Sequence, residues 1–182
     1  MASKKLVSTL KEKATAVQVV IYEVQNLEAA FAYAIGVTQK QGGATIAAPG
    51  WDEADRVALQ EDCRRAGVEL LGENLRTRAE DIHTGFTRAD WGIADTGTLV
   101  LDSSSEDLRL ATMLSETHIA VLPLSRLRGT SMDLEVELNR LAESPPRYLS
   151  FITGASRTAD IERVLTLGVH GPLELHMLLL KD

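Results

Sequence analysis

The sequence predicts an α/β fold built on a mostly parallel sheet. Strand-like apolar runs alternate with segments of helical periodicity through most of the 182 residues, and Gly or Pro separates many of them. Parallel strands need long crossover connections, which are usually helices, whereas antiparallel strands can be joined by tight turns. The alternation therefore predicts βα units in which helices cover a parallel sheet.

In the first half of the chain we predict strands over 17–22, 44–48 and 68–71. Helical spacing covers 3–14, 27 to about 41, and 52 to about 66. Asn26 and Asp52 are suitable N-caps for the second and third helices, and Gly42 and Gly67 are suitable stops. With no interdomain linker visible, we expect one domain over 1–182, with 1–15 as a possible helical extension.

The middle of the chain has a different pattern. Two short strands, 90–94 and 99–101, flank Asp95-Thr96-Gly97-Thr98, which predicts a hairpin with a positive φ at Gly97. Ser104 or Ser105 then caps a helix to about 115, with Asp107 completing a capping box. Further strands are predicted at 119–122, 148–152 and 173–180, and further helices at 132–142 and from 158 to about 167.

Composition excludes several classes of function. The net charge of −7 and the aromatic content of 4% disfavour nucleic acid, which is bound through Lys, Arg and stacking rings. The longest apolar runs, 17–22 and 175–180, are too short to span a bilayer. We therefore expect a cytoplasmic protein with no membrane or nucleic-acid partner. A small anionic ligand remains possible, because local amides and one Arg can hold it.

The cysteine and histidine content limits metal and redox chemistry. The one cysteine, Cys63, allows no internal disulfide and cannot supply the thiolates of an iron–sulfur cluster. It lies on a predicted amphipathic helix, and we interpret it as structural or incidental. The four histidines are scattered and no metal motif is present, so no metal site is predicted.

The segment Gly154–Thr158 follows a strand and precedes a predicted helix. It lacks the last glycine of a nucleophile elbow, because Thr158 stands there. The helix N-terminus with Ser156, Arg157 and Thr158 can bind an anion. Ordinary capping, with Thr158 as N-cap and Asp160 in the first turn, explains everything except Arg157. Both interpretations stay open.

Two other turns are equally ambiguous. Thr96, Gly97 and Thr98 can contact a ligand, with Asp95 as acid or base, but these residue types also make a plain turn. His170, between Gly168 and Gly171, can bind a ligand or face water. On the last strand, Glu174 and His176 share one face, which we interpret as a surface interaction.

Four segments together resemble the LUD family, the lactate-utilisation domain proteins. The sequence ADWGIADTGTLVL at 89–101 resembles its strand–turn–strand signature, with Asp95 where the family usually has Glu. Arg109 and SETHIAV at 115–121 resemble its next helix and strand. SRTADIE at 156–162 and GVHGP at 168–172 are similar to its two C-terminal motifs, in the expected order.

The resemblance implies a Rossmann-like sandwich of the NagB/RpiA/CoA-transferase type. It also implies a bacterial subunit that works with two iron–sulfur proteins in oxidising L-lactate to pyruvate. Because this chain has one cysteine, we expect no cofactor of its own and iron–sulfur clusters only on partner subunits. The expected role is then that of an accessory or ligand-binding subunit.

No catalytic residue is assigned, and enzyme activity is left open. The candidate ligand-binding residues are Asp95, Thr96, Gly97, Thr98, Ser156, Arg157, Thr158, Asp160, His170 and Gly171. One alternative is a stand-alone enzyme acting on a sugar phosphate or CoA ester, with Asp95 as base or nucleophile. Another is a non-catalytic assembly protein. Convergence of Thr98, Arg157 and His170 on one pocket would favour a ligand site.

Overall fold

A six-stranded parallel sheet forms the centre of the structure, a computed structural model that describes residues 4–143, 147–158 and 166–182. In chain order the strands are β1 (Val20–Val24), β2 (Thr45–Ala47), β3 (Glu69–Leu71), β4 (Thr84–Arg88), β5 (Trp91–Ile93), β6 (Thr98–Asp102), β7 (Thr117–Pro123), β8 (Leu127–Arg128), β9 (Leu149–Ile152), β10 (Arg157–Thr158), β11 (Thr166–Leu167) and β12 (Glu174–Leu180). The central sheet has the order β1-β12-β7-β4-β2-β3. All five pairings are parallel, so the predicted sheet type is confirmed.

Five α-helices connect and cover the strands: α1 (Lys4–Ala16), α2 (Leu27–Lys40), α3 (Glu53–Ala66), α4 (Glu106–Leu114) and α5 (Glu135–Ala142). The predicted caps of α2 and α3 are confirmed, since Asn26 accepts a hydrogen bond from the amide of Ala29 and Asp52 from that of Asp55, both at 2.9 Å. Gly67 ends α3 at a φ of 71°. In the described part of the chain, no helix is long and apolar enough to cross a membrane.

A second sheet of order β8-β5-β6-β9 contains the predicted hairpin. β5 and β6 pair antiparallel, and Gly97 in their turn has a φ of 67°. An added Cβ at Gly97 would lie 2.5 Å from the amide nitrogen of Ala14, so glycine also allows the turn to pack against the end of α1.

The alternating side chains of the central strands build one core on each face of the sheet. Ile119 and Val121 of β7 face α2 and α3, on what we term the α2–α3 face. Ala120 and Leu122 face α1, α4 and the second sheet, on what we term the cavity face. The outer surface of the second sheet, with Trp91, packs against α5.

Strand β4 was not predicted, although it lies between β7 and β2. Its sequence, TGFTR, has one large apolar residue, Phe86, and a glycine that usually weakens strands. Gly85 is required here because an added Cβ would lie 2.1 Å from the carbonyl oxygen of Ala111 on α4. Gly85 therefore reflects the close approach of α4 to the sheet, which the hydrophobic pattern of the sequence does not show.

Two local predictions are wrong. Arg157–Thr158 is a short strand paired antiparallel with Thr166–Leu167, so the helix predicted from 158 to about 167 is wrong at both of its ends. Asp160 and the rest of 159–165 lie outside the described residues. The capping box before α4 is also wrong. Ser105 makes no side-chain cap, and the Asp107 carboxylate instead accepts from the amides of Asn74 and Leu75, at 3.0 and 2.9 Å.

Candidate ligand-binding site

A cavity of about 430 Å³ opens on the cavity face between α4 and the segment that follows β9. We term it the α4–β9 cavity. Residues from α4, β7, β9, β12 and the 170–172 loop line it: Arg109, Thr112, Met113, His118, Ser150, Phe151, Ile152, Thr153, Gly154, Ala155, Ser156, His170, Gly171, Pro172 and Leu175. Its lining thus combines apolar side chains with hydroxyls, two imidazoles and one guanidinium.

Arg109 is the one permanently charged residue among the described lining residues. Its Nη1 donates to the carbonyls of Ser103 and Ser104, at 2.6 and 3.0 Å. The guanidinium carbon lies 5.6 Å from the ring centroid of Tyr148. These contacts orient the side chain, and within the described residues Nε and Nη2 donate to no protein acceptor. Arg109 therefore presents a positioned cationic edge that suits a carboxylate.

His118 is almost fully buried in the second position of β7. Its Nε2 lies 2.8 Å from the Thr87 hydroxyl. Burial lowers the pKa of His118 to about 4, because the charged ring would lose its hydration. At neutral pH the ring is therefore uncharged, and it can donate or accept a hydrogen bond but adds no positive charge.

Ser156, His170 and Gly171 line the cavity together, next to the C-terminal end of α4. The amide of Ser156 donates to the carbonyl of Pro172, and the amide of Gly168 donates to the carbonyl of Ser156, both at 3.0 Å. An added Cβ at Gly171 would lie 3.1 Å from the Ser156 Cβ and 3.6 Å from the Met113 carbonyl oxygen. These contacts bring three of the predicted residues into one wall.

The β5–β6 turn, which holds four of the predicted site residues, lies outside the cavity lining. Asp95 and Thr96 are exposed, and neither lines the cavity. Thr98 is buried, and its hydroxyl lies 2.6 Å from the Thr153 hydroxyl, which belongs to the lining. Thr98 therefore supports the cavity through one hydrogen bond, and Gly97 contacts α1.

Arg157 does not line the cavity either. Its guanidinium donates to the carbonyl of Val17, at the end of α1. Thr158 pairs with Thr166 in the short antiparallel ladder. The expected convergence of Thr98, Arg157 and His170 is therefore not found, since His170 alone of the three lines the cavity. Because residues 157–158 form a strand, the structure does not support the interpretation of 156–158 as an anion-binding helix N-terminus.

Comparison with known proteins identifies the family. The LUD domain model matches residues 7–180. The chain belongs to the LUD domain family. Three of its four motif segments supply cavity residues, namely Arg109 and His118, Ser156, and His170 with Gly171.

Named relatives of this LUD domain share a description. It is 35% identical over 135 residues to Lactate utilization protein C of Halalkalibacterium halodurans, covering 70% of the chain and 59% of the relative. It is 35% identical over 114 residues to Lactate utilization protein C of Bacillus subtilis, covering 61% of the chain and 48% of the relative. The chain thus spans about half to three-fifths of the length of these relatives.

The fold of this LUD domain matches that of a solved structure. A DUF162 family protein from Deinococcus radiodurans superposes with a TM-score of 0.65 over 99% of both chains, at 17% identity. The match agrees with the six-stranded parallel sheet and its helices on both sides, the Rossmann-like sandwich that was predicted.

Arg109 and His118 were not among the candidate residues of the LUD domain. Both stood in segments that resemble the family, but Arg109 lies inside a helix and His118 inside a strand. Such positions are usually solvent-facing or core positions, so the pattern alone did not single them out. The signal was their place in the motif segments.

His176 and Cys63 of the LUD domain do not belong to the candidate ligand site. The Nε2 of His176 donates a hydrogen bond to the Glu174 carboxylate at 2.8 Å, as their shared face indicated. The His176 ring is nevertheless buried, and its Nδ1 lies 3.0 Å from the Tyr33 hydroxyl. Cys63 is 1% exposed, and burial raises the pKa of its thiol to about 11. A neutral buried thiol is a poor nucleophile.

A second region also has the geometry of a ligand site. Chain connections diverge between the adjacent strands β2 and β4, the switch point where open parallel sheets bind ligands. Two adjoining cavities of about 540 and 470 Å³ lie there and share Gly50 and Ser105. We term them the carboxyl-edge crevice. Arg88 and Arg126 line it together with carboxylates such as Asp90, so its charge is mixed.

Proposed function

We propose that this LUD domain binds a small organic carboxylate in the α4–β9 cavity, as a subunit of a bacterial, cytoplasmic system that oxidises L-lactate to pyruvate. The observation that carries the proposal is the single guanidinium, Arg109, in a cavity built from family motif segments. The shared name of the relatives, Lactate utilization protein C, supports the metabolic role.

The lining suits a carboxylate that carries an apolar group. Arg109 pairs with the anionic end, and a hydrogen bond to a charged group contributes about 1.5–3 kcal/mol. The hydroxyls of Ser156 and Thr153 are available for further polar contacts, and Ile152 and Leu175 offer apolar surface. The neutral His118 can hydrogen-bond a hydroxyl or carbonyl oxygen without adding charge.

Electron transfer is assigned to partner subunits. Oxidation of L-lactate to pyruvate releases two electrons and two protons. This chain has one thiol, Cys63, and it is buried. A cluster held by four thiolates therefore needs another protein. We propose iron–sulfur partner subunits as the electron acceptors, with the LUD domain holding the carboxylate.

Growth on L-lactate tests the role. A bacterial strain lacking the gene is complemented with the wild type, Arg109→Gln or Arg157→Gln. We expect the deletion to abolish growth on L-lactate, Arg109→Gln to restore at most a tenth of the growth rate, and Arg157→Gln to restore most of it, because Arg157 lies outside the cavity. Normal growth of the deletion strain would refute the lactate role.

Binding by the purified chain tests the site separately. Calorimetry with L-lactate and pyruvate should show at least tenfold weaker binding for Arg109→Gln, since one charge-assisted hydrogen bond is lost. Urea titration checks that the variant is folded. Equal affinity of the two proteins for both acids would remove Arg109 from the site.

The carboxyl-edge crevice supports a second candidate, a stand-alone enzyme acting on a sugar phosphate or CoA ester. Its position at the switch point favours it, and Arg88 and Arg126 could pair with phosphate. Asp95 would not be its base, because Asp95 is exposed and lies outside the crevice lining. Binding of CoA or ribose 5-phosphate that Arg88→Gln abolishes would favour this function.

The remaining alternative is a non-catalytic assembly protein that needs no bound ligand. In the growth experiment this alternative predicts that the deletion strain fails to grow on L-lactate, while Arg109→Gln supports growth at the wild-type rate.

A further inference from the structure

Exposed apolar side chains lie beside the α4–β9 cavity. Eleven large apolar side chains of the described residues are exposed. Four of them line a groove that adjoins the cavity and is formed by residues 113–116, 168–171 and 173, and we term these four the apolar rim: Met113, Leu114, Val169 and Leu173. The groove shares Met113, His170 and Gly171 with the cavity, so the two are continuous.

The rim comes from two separate parts of the chain. Met113 and Leu114 end α4, and Val169 and Leu173 flank the 170–172 loop. Each of these four side chains is between 41% and 55% exposed. Contiguous apolar patches on a monomer's surface commonly mark interaction sites, whereas single exposed apolar residues need no explanation.

We infer that the apolar rim is the docking surface for the redox partner protein that takes electrons from the bound hydroxy acid. This inference rests on the proposed lactate role. Oxidation of the hydroxyl-bearing carbon breaks its C–H bond and the O–H bond, releases two protons to water and passes two electrons, one at a time, to iron–sulfur centres on the partner chain. The rim lines the groove that is continuous with the cavity that would hold that carbon. A partner seated on the rim covers this opening.

Charge indicates what kind of partner fits. The chain carries a net charge of −7, so two copies repel each other, and an anionic membrane surface repels the chain as well. Within the groove, Glu116 is exposed, with its side chain 67% accessible. The rim therefore fits a partner that presents an apolar patch bordered by Lys or Arg.

Rim residues that lie outside the cavity lining provide the test. Leu114→Gln/Val169→Gln changes the groove without touching the described lining of the α4–β9 cavity. The matched control is Val57→Gln/Val136→Gln, which alters two similarly exposed residues on α3 and α5. Both double variants and the wild type are used to complement the deletion strain, and each purified protein is titrated with L-lactate.

We expect the rim variant to bind L-lactate with wild-type affinity and to reduce growth on L-lactate at least tenfold, while the control keeps both. Wild-type growth of the rim variant, in a strain where the deletion prevents growth, would overturn the docking surface and leave the lactate role intact. Normal growth of the deletion strain refutes the lactate role itself.

Two further measurements test whether the rim is occupied by a second copy of the chain or by a membrane. The first is sedimentation velocity of the purified chain. If the wild type is a dimer and the rim variant a monomer, a second copy covers the rim and the redox partner is excluded from it. Cosedimentation with vesicles of anionic phospholipid that requires Leu114 and Val169 would likewise assign the rim to a membrane and overturn the inference. We expect neither.

Discussion

The two faces of the central sheet differ in what they bury. On the α2–α3 face, Phe31, Trp51 and Phe86 form an aromatic cluster, with Trp51 and Phe86 stacked at 4.8 Å between ring centroids. The cavity face has an apolar core too, but it also contains the α4–β9 cavity with Arg109 and the buried His118. One face buries an aromatic cluster, and the other contains the cavity that we propose as the ligand site.

This difference teaches that stability and binding can be altered separately. Substitutions in a filled core cost free energy of unfolding, because they leave a cavity or force strain. Substitutions beside an existing cavity change what it can bind. The variants below test whether the two faces separate in this way.

Phe86→Ala should have the largest effect. Phe86 is fully buried and also contacts Phe31 at 6.0 Å between centroids. Removing such a ring costs about 3–5 kcal/mol of unfolding free energy, measured by urea denaturation. The control is Met113→Ala on the cavity face, which is half exposed at the end of α4 and should cost less than about 1 kcal/mol. Equal losses would contradict the separation of the two faces.

Gly97→Ala tests whether the β5–β6 turn is structural. The added Cβ meets the main chain of α1, and the φ of 67° is unfavourable for alanine. We expect a loss of more than about 2 kcal/mol. Gly42→Ala, at a φ of 81° with open space around it, should lose about 1 kcal/mol. A Gly97→Ala protein of wild-type stability that no longer binds L-lactate would instead place the turn in the site.

His118 gives the cavity face a pH dependence. The pKa of His118 is lowered to about 4 in the folded chain, whereas an unfolded histidine has a pKa of about 6.5. The unfolded chain therefore binds more protons between these values, and stability falls as the pH drops. From pH 7 to pH 5 we expect a loss of about 2 kcal/mol that His118→Gln removes.

Urea titrations at the two pH values measure this difference. His170→Gln, which replaces a histidine on the exposed loop, is the matched control and is measured at the same two pH values. If the His118→Gln protein lost as much stability as the wild type on acidification, the protonation would have to be assigned to other groups.

The helix caps give the smallest expected effect. Asp52→Ala removes the cap of α3 and should cost about 1 kcal/mol. Ser105→Ala, before α4, should cost less than about 0.5 kcal/mol, because the Ser105 side chain makes no capping bond. Thermal unfolding of the two variants side by side checks this, and a greater loss for Ser105→Ala would show that the Ser105 side chain does cap α4.

Much of the fold could be predicted from local chemistry. Asn26 and Asp52 act through amides three residues ahead, and Gly97 acts within its own turn, so the sequence shows them directly. Strand β4 could not be predicted because Gly85 is explained by α4, which comes more than twenty residues later in the chain.

The candidate site was predicted in part, for a similar reason. Ser156, His170 and Gly171 stood on turns, where ligand contacts are common. Arg109 and His118 join them only through tertiary packing, and spacing along the chain does not encode that convergence. Arg157 shows the converse, since a charge in a suggestive segment is used to hold the carbonyl of Val17.

The position of β12 has a consequence for biosynthesis. Residues 174–180 lie between β1 and β7, and among the described strands β1 pairs with β12 alone. Residues 20–24 therefore have no pairing partner in the described sheet until about 150 further residues have been translated. Such non-local pairing slows folding and leaves an open edge on the nascent chain. We therefore expect the central sheet to close only after residues 174–180 have left the ribosome.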